Sequence, residues 1–153
     1  MTLSDLIQQP RFESPAQEAV LNVLATESWV ASRMSDALAR YGVTTAQYNV
    51  LRILRGHTSG PMTCSQIGSR LLDRTPDVTR LLARLERAGL VTRTRAEHDR
   101  RAVEVAITDA GRTVLAALDT PARDAVDRLA RHLSEDELAT LSSLLERLRS
   151  DQT

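Results

Sequence analysis

The strongest constraint on the fold is a change of hydrophobic period at Gly89. Before it, apolar side chains recur every three or four residues and share one helix face: Val78, Leu81, Leu82, Leu85 and Ala88. After it, apolar and polar residues alternate in two short runs, residues 91–95 and 102–107, around a polar turn from Ala96 to Arg101. Alternation of this kind predicts strands. The segment is therefore predicted to form an amphipathic helix followed by a β-hairpin.

Local signals mark both ends of this helix. Thr75 is predicted to be the N-cap, Pro76 suits the first turn, and the Asp77 carboxylate favours the positive end of the helix dipole. Gly89 stands where a helix C-terminus favours a residue that tolerates positive φ. The face opposite the apolar stripe is polar and basic: Thr79, Arg80, Ala83, Arg84 and Arg87.

A shorter helix is predicted just upstream. Thr63-Cys64-Ser65-Gln66 matches a capping box, which predicts a helix that starts there and ends near Leu72, with Asp73-Arg74 as a tight turn. Two short helices followed by a hairpin tipped with arginines are typical of a winged helix-turn-helix. In that fold the second helix enters the major groove and the hairpin tip reaches the minor groove.

The sequence DRRAVEVAITDAG, residues 99–111, resembles the wing signature of the multiple antibiotic resistance regulator (MarR) family. That signature is Asp-x-Arg, an alternating strand, and then Leu or Ile followed by Thr-x-x-Gly. The resemblance extends from about Ser14 to the C-terminus. It implies that Arg101 inserts into the minor groove and that Asp99 holds it in position. It also implies dimerisation through the N- and C-terminal helices, and small apolar or phenolic effectors.

The charge distribution agrees with a DNA-binding face. The chain has net charge zero, yet residues 70–101 hold nine arginines against five acidic residues, an excess of four. A basic patch on a neutral body is typical of a module that binds nucleic acid with one face. All twenty basic residues are arginine, whose guanidinium suits bidentate contacts with phosphate and guanine.

We therefore predict three groups of DNA-binding residues. The helix face contributes the major-groove group, in which Asp77 caps and orients. The wing contributes phosphate contacts and the minor-groove arginine, and the N-terminus of the shorter helix contributes a phosphate site. The predicted residues are Thr75, Pro76, Asp77, Thr79, Arg80 and Arg84; Arg93, Arg95, Asp99, Arg100 and Arg101; and Thr63 and Ser65.

Longer helices are predicted on both sides of this lobe. Ser14-Pro15 begins one that runs to about Ala39, and a second runs from Thr44 or Thr45 to about Gly56. Thr108 caps a long helix in which Pro121 predicts a bend near Asp119 or a restart at Thr120. We predict one domain over residues 1–153, with dimerisation helices at 14–40 and 108–151 and the winged lobe at 44–107. The fold class is mainly α.

The last helix carries the signature of self-association. A capping box at residues 134–137 precedes Leu138, Leu141, Leu145 and Leu148, spaced three, four and three, which is a heptad seam. Packing this seam on the first helix of a twofold mate predicts a homodimer. Residues 1–13 carry a few apolar side chains and are interpreted as a short arm on the partner or as a frayed terminus.

Large side chains concentrate in the first two predicted helices. Trp29, Met34, Tyr41 and Tyr48 are interpreted either as core or as the lining of a crevice between the dimerisation helices and the winged lobe. The second interpretation would make them the effector site that the resemblance implies. The sequence alone leaves both interpretations open.

No cofactor or metal is predicted. His57, Cys64, His98 and His132 match no metal-binding spacing, and Cys64 is interpreted as an incidental small residue in preference to a redox sensor. An enzyme is disfavoured, because the sequence has no nucleophile paired with a base, no glycine-rich phosphate loop and no carboxylate pair outside helix caps.

The predicted function is therefore a cytoplasmic transcriptional regulator. We expect a homodimeric repressor that binds a pseudo-palindromic operator in double-stranded DNA and is released by a small effector. The alternative is a winged helix used for protein contact, as a subunit of a larger assembly. The sequence contains neither a secretory signal nor an apolar run long enough for a membrane span, and a single cysteine fits a reducing compartment.

Overall fold

The structure, a computed structural model, describes residues 2–72, 77–95 and 103–150. The elements in chain order are α1 (Leu3–Ile7), α2 (Pro15–Ala39), α3 (Thr45–Gly56), β1 (Met62–Thr63), α4 (Cys64–Gly68), α5 (Val78–Arg87), β2 (Val91–Arg95), β3 (Val103–Ile107), α6 (Asp109–Ala130) and α7 (Glu135–Leu148). The fold is mainly helical with a small antiparallel sheet, which confirms the predicted class. None of the described helices is both long and apolar enough to span a membrane.

The core lies inside the winged lobe. Its fully buried side chains come from the end of α2, from α3, α4, α5, the sheet and the first half of α6: Leu38, Val50, Leu51, Met62, Ile67, Leu82, Leu85, Val105, Leu115 and Leu118. The apolar stripe of α5 supplies Leu81, Leu82 and Leu85 to this core, as its three- and four-residue spacing predicts.

The predicted two-stranded hairpin is confirmed as β2 and β3, and an unpredicted strand, β1, extends it into a three-stranded sheet. The strand order is β1-β3-β2, with β1 antiparallel to β3 through Met62 and Val105. β2 pairs with β3 over five residue pairs, from Val91–Ile107 to Arg95–Val103. A strand of two residues is too short to show alternation, so the sequence does not reveal β1.

The boundaries of the helix-turn-helix differ from the prediction. The capping box is present: the Thr63 amide donates to Gln66 Oε1 at 2.8 Å, and the Gln66 amide donates to Thr63 Oγ1 at 3.2 Å. However, α4 ends at Gly68, before the predicted end near Leu72. The backbone forms a 3₁₀-type turn there, because the Arg70 and Leu71 amides donate to the carbonyls three residues earlier, those of Ile67 and Gly68.

The cap of α5 is Asp77, so the prediction of Thr75 as N-cap is wrong. Asp77 Oδ1 accepts the Arg80 amide at 3.1 Å and the helix begins at Val78. An aspartate cap satisfies a free first-turn amide and also places its charge at the positive end of the helix. Thr75 and Pro76 themselves lie outside the described residues.

The end of α5 is a left-handed turn at Gly89, as predicted. Gly89 has φ of 71°. The Leu90 amide donates to the Leu85 carbonyl at 3.0 Å, and the Gly89 amide donates to the Glu86 carbonyl at 2.9 Å. This pair of bonds is a Schellman motif, which directs the chain straight from the helix into β2.

The start of α6 docks on that turn. Thr108 Oγ1 accepts the Gly111 amide at 3.0 Å and donates to the Gly89 carbonyl at 2.8 Å, while the Thr108 amide donates to the Leu90 carbonyl at 3.1 Å. A Cβ at Gly111 would collide with the Leu90 carbonyl oxygen and lie 2.8 Å from Ile107 Cγ1. The Thr-x-x-Gly of the sequence motif therefore has a physical reason: threonine joins two elements and glycine lets them touch.

Helix α6 continues from the lobe and packs against α2. It stays one helix through Pro121, so a restart at Thr120 is wrong. Its buried residues beyond the lobe are Ala122 and Ala125. Small side chains there let the two helices approach closely.

The terminal helices leave most of their apolar residues uncovered within one chain. The 25 residues of α2 contribute a single buried residue, Leu38, and α7 contributes none. Exposed large apolar residues of α1, α2, α6, α7 and the α6–α7 turn are Leu6, Ile7, Val20, Leu24, Trp29, Val126, Leu133, Leu141, Leu144 and Leu148.

At the N-terminus, α1 starts in a capping box between Thr2 and Asp5 and buries Leu3, so the frayed-terminus interpretation is wrong.

A bidentate ion pair fixes α3 to α6. Arg55 Nη1 lies 2.6 Å from Asp119 Oδ2, and Arg55 Nη2 lies 2.9 Å from Oδ1. Hydrogen bonding to the Arg55 guanidinium lowers the pKa of Asp119 below its ordinary 3.8, with smaller contributions from the charges of Arg55, Arg123 and Arg52. Asp119 stands two positions before Pro121, where α6 leaves the lobe.

We expect Gly111→Ala to lower the free energy of unfolding by about 1–3 kcal/mol, because the added methyl group forces the Leu90 carbonyl and Ile107 apart. Urea denaturation followed by circular dichroism measures the change. Gly56→Ala is the matched control, because no atom lies within 4 Å of the Cβ that it adds and its φ is not positive. Equal stability of Gly111→Ala and wild type would contradict the docking described above.

The Arg55–Asp119 pair should give a stability term that depends on pH. Because the pKa of Asp119 is lowered by folding, the stabilisation is present above the unfolded pKa and is lost as pH falls through the lowered folded value. Asp119→Asn should lower the unfolding free energy by about 0.5–1 kcal/mol near neutral pH, since the pair is partly exposed, and by nothing at the acid end. Asp127→Asn, an exposed aspartate of the same helix, serves as control. A wild-type advantage over Asp119→Asn that persists in acid would refute this account.

Candidate nucleic-acid interface

The outer face of α5 carries arginines that no other described group neutralises. Thr79, Arg80, Arg84 and Arg87 are exposed, while Leu82 and Leu85 on the other side are fully buried. Arg80 and Arg84 are one turn apart, so their side chains project together. Within the described residues, none of these three guanidinium groups forms an ion pair or a side-chain hydrogen bond. Helix packing holds the face rigidly while its charges stay available.

Two acidic groups near this face are already occupied. The Asp77 carboxylate caps α5 through the Arg80 amide, as its predicted orienting role requires. The Glu86 carboxylate lies 3.5 Å from Arg93 Nη1. Both carboxylates thus have partners within the protein.

Two more of the predicted DNA-binding residues lie at the start of α4. Thr63 is half-buried and its Oγ1 accepts the Gln66 amide, which leaves the hydroxyl proton free to donate. Thr63 therefore caps α4, and Ser65 lies exposed in the first turn of the helix.

The two predicted wing arginines on strand β2 differ in their exposure. Arg95 is exposed, whereas the Arg93 side chain is only 21% exposed and reaches Glu86. Asp99, Arg100 and Arg101 lie outside the described residues, together with Thr75 and Pro76, so the structure bears on none of their predicted roles.

A groove of about 710 Å³ runs between α2 and α6. Its lining is Trp29, Arg33, Asp36, Ala37, Arg40, Tyr41, Pro121, Asp124, Ala125, Arg128, Leu129 and Arg131. Of the four predicted crevice residues, Trp29 and Tyr41 line this groove and are 48% and 43% exposed, so the core interpretation is wrong for both. Tyr48 is core, with Arg52 stacked 5.8 Å from its ring centre. Met34 is half-buried and does not line the groove.

Sequence reasoning missed the charged residues of the groove. Four arginines and two aspartates line it, which makes it a cationic site with an aromatic wall. A signal was present: Trp29, Arg33, Asp36 and Arg40 follow one another at spacings of four, three and four on one face of α2. Attention to the apolar stripe alone left this mixed stripe unnoticed.

Cys64 packs against the core and its Sγ lies 4.0 Å from the Val103 carbonyl oxygen. In the part of the chain that the structure describes, no three His, Cys, Asp or Glu side chains cluster closely enough to hold a metal ion. His98, one of the four His and Cys residues that match no metal-binding spacing, lies outside that part.

Comparison with known proteins shows which family this architecture resembles. A sequence model of the MarR family matches residues 41–102, which is most of the winged lobe. A MarR transcription factor of Planctomyces limnophilus is 40% identical, with a TM-score of 0.69 over 89% of this chain and 98% of that one. The transcriptional repressor MdtR of Bacillus subtilis is 27% identical over 84% of this chain and 81% of its own length.

A mutant of MarR from Escherichia coli, solved in complex with operator DNA, is 26% identical, with a TM-score of 0.74 over 82% of this chain and 89% of that one. These relatives are regulators, which confirms the prediction that the chain is not an enzyme. The mainly helical fold with a small three-stranded sheet matches these winged helix structures. The chain belongs to the MarR family of winged helix-turn-helix transcriptional regulators.

Proposed function

We propose that this protein is a homodimeric repressor that binds a pseudo-palindromic operator in double-stranded DNA. The observation that carries the proposal is the row of exposed arginines on the outer face of α5, none of which has an ion-pair partner among the described residues. Similarity supports it as well, because one relative is a named repressor and another was solved with operator DNA. Such a regulator acts in the cytoplasm, where the bacterial chromosome lies.

The dimensions of the lobe suit a duplex. The ten residues of α5 span about 15 Å, which is enough to cross the major groove with Thr79, Arg80 and Arg84 turned to base edges and phosphates. Thr63 and Ser65 at the start of α4, and Arg95 on β2, stand on either side of this helix in the fold and serve backbone phosphates. The predicted minor-groove insertion of Arg101, held by Asp99, completes the proposal.

Exposed surface supports the homodimer. The chain presents 11335 Å² of accessible surface, whereas a compact monomer of 16.9 kDa presents about 7,700 Å². The excess coincides with the uncovered apolar residues of α1, α2, α6 and α7. Burying them against a twofold mate would use the Leu138, Leu141, Leu145 and Leu148 seam and bring two copies of α5 to half-sites about one helical turn apart.

The groove between α2 and α6 is the proposed effector site. Its wall of Trp29 and Tyr41 suits an apolar or phenolic ring, and its arginines suit an anionic substituent. The groove lies along the helices proposed to dimerise, so a ligand there can change the separation of the two recognition helices. A change of that kind would release the operator, provided that the ligand binds the two dimer states with different affinity.

Arg80→Ala and Arg84→Ala should each weaken operator binding by about 1–3 kcal/mol, because each removes a major-groove or phosphate contact. Fluorescence anisotropy of a labelled duplex from upstream of the gene, against a scrambled duplex at two salt concentrations, measures this. Arg149→Ala, at the far end of α7, is the control for lost charge. Equal binding of both duplexes by the wild type would instead favour a winged helix used for protein contact.

Leu141→Arg combined with Leu148→Arg should convert the dimer into a monomer, because two charges would then enter the apolar seam. Sedimentation equilibrium gives the mass directly. Ser143→Arg adds the same side chain to the opposite face of α7 and should leave the dimer intact. A wild-type chain that sediments as a monomer at micromolar concentration would refute the proposed assembly.

The effector step is tested in the same anisotropy assay with benzoate and phenol as probes. Trp29 is the single tryptophan, so its emission reports on the groove directly. A probe that binds there should change this emission and weaken operator binding together. Equal operator affinity of the free and the probe-saturated protein would remove the effector from the mechanism.

A further inference from the structure

We infer that Arg93 contacts no DNA and instead fastens the wing to the recognition helix through Glu86, which makes it a positioning residue for operator recognition. The inference rests on the proposed DNA-binding function. It reassigns an arginine that sequence pattern alone places among the phosphate contacts.

The stem of Arg93 belongs to the buried face of the sheet. In β2 it alternates with exposed Thr92 and Thr94, and it shares its face with Val91, which is 2% exposed. Directly across the sheet it pairs with Val105, which is fully buried and pairs in turn with Met62. Its Nε is buried and has no hydrogen-bond acceptor in the described part of the chain. The methylene chain therefore extends a row of core side chains.

The guanidinium emerges at the edge where β2 meets α5. Arg93 Nη1 lies 3.5 Å from Glu86 Oε2, and the Glu86 side chain is 43% exposed. Glu86 stands in the last turn of α5, so the ion pair crosses from recognition helix to wing. To reach a phosphate, Arg93 would have to leave this pair and withdraw its stem from beside Val105.

The pair supplies a polar attachment beside those already described. These are the Schellman turn at Gly89, which Thr108 holds in place, and the packing of Val91 and Val105 in the core with the leucines of α5. An ion pair at the outer edge of the sheet opposes rotation of the wing about that packed centre. The angle between α5 and the wing decides whether both reach their grooves in the same register.

Arg95 provides the matched comparison. It lies two residues further along the same face of β2, but it is exposed and has no ion-pair partner among the described residues. The two arginines therefore separate two roles: Arg95 is available to phosphate, and Arg93 is committed to Glu86.

The experiment compares Arg93→Met, Arg95→Met and Glu86→Gln by anisotropy on operator and scrambled duplexes across a salt series. Arg95→Met should weaken binding to both duplexes alike and reduce the slope of log K against log salt by about 1. Arg93→Met should lower the operator preference about tenfold with the slope unchanged. Glu86→Gln should lower that preference similarly, although it removes a negative charge beside the DNA.

The result for Glu86→Gln is decisive, because simple electrostatics predicts tighter operator binding when an acid is removed. Tighter operator binding by Glu86→Gln, or a reduced salt slope for Arg93→Met, would overturn the inference and make Arg93 a phosphate ligand. The exchanged variant, Glu86→Arg with Arg93→Glu, should recover most of the operator preference.

A readout independent of DNA separates this inference from the proposed function. The shifts in urea midpoint caused by Arg93→Met and Glu86→Gln should not add in the double variant, because the two residues share one interaction. Additive shifts would overturn the link. A wild-type protein that prefers no duplex would refute the proposed function, and the urea midpoints would still decide whether the link exists.

Discussion

The contact between the start of α6 and the end of α5 is the constraint from which the rest of the site takes its orientation. One hydroxyl, that of Thr108, starts the long helix and also binds the carbonyl of Gly89, which ends the recognition helix. Gly111 allows the backbones to touch, since any larger residue would meet the Leu90 carbonyl. As a result, the helix proposed to read DNA and the helix that leaves for the rest of the molecule meet at one rigid point.

A second contact extends this rigidity along α6. The bidentate pair of Arg55 and Asp119 holds α3 beside the point where α6 leaves the lobe. A planar guanidinium on a carboxylate fixes direction as well as distance. Helix α6 lines the groove of Trp29 and Tyr41, and these two contacts join α6 to α5 and to α3. In the proposed function, a change in the groove would therefore reach the recognition helix through α6.

The sequence predicts best where structure is encoded locally. Ser14, Thr63, Thr108 and Ser134 cap their helices as predicted, and α3 begins at Thr45, one of its two predicted starts. Such starts are predictable because a hydroxyl and a backbone amide within one turn determine the cap. Prediction failed where long-range contacts decide. Strand β1 was missed because it depends on the pairing of Met62 with Val105, and the sequence pattern did not show the ion pair between Arg93 and Glu86. The N-cap of α5 was wrongly predicted to be Thr75, because Thr75 and Asp77 are two residues apart and each has a side-chain oxygen that can accept a first-turn amide.

In the proposed homodimer, helix α7 links the folding of each chain to its association with a second copy. Its fourteen residues bury none of their side chains within their own chain, and an isolated helix of that length is marginal in water. In the proposed homodimer a second copy would cover its leucines, so mass action would govern how completely the helix is formed. Dilution would then favour the unfolding of α7 at one end of the chain. A cell that makes little of this regulator would hold not only fewer copies, but copies that are less completely folded and more open to proteases.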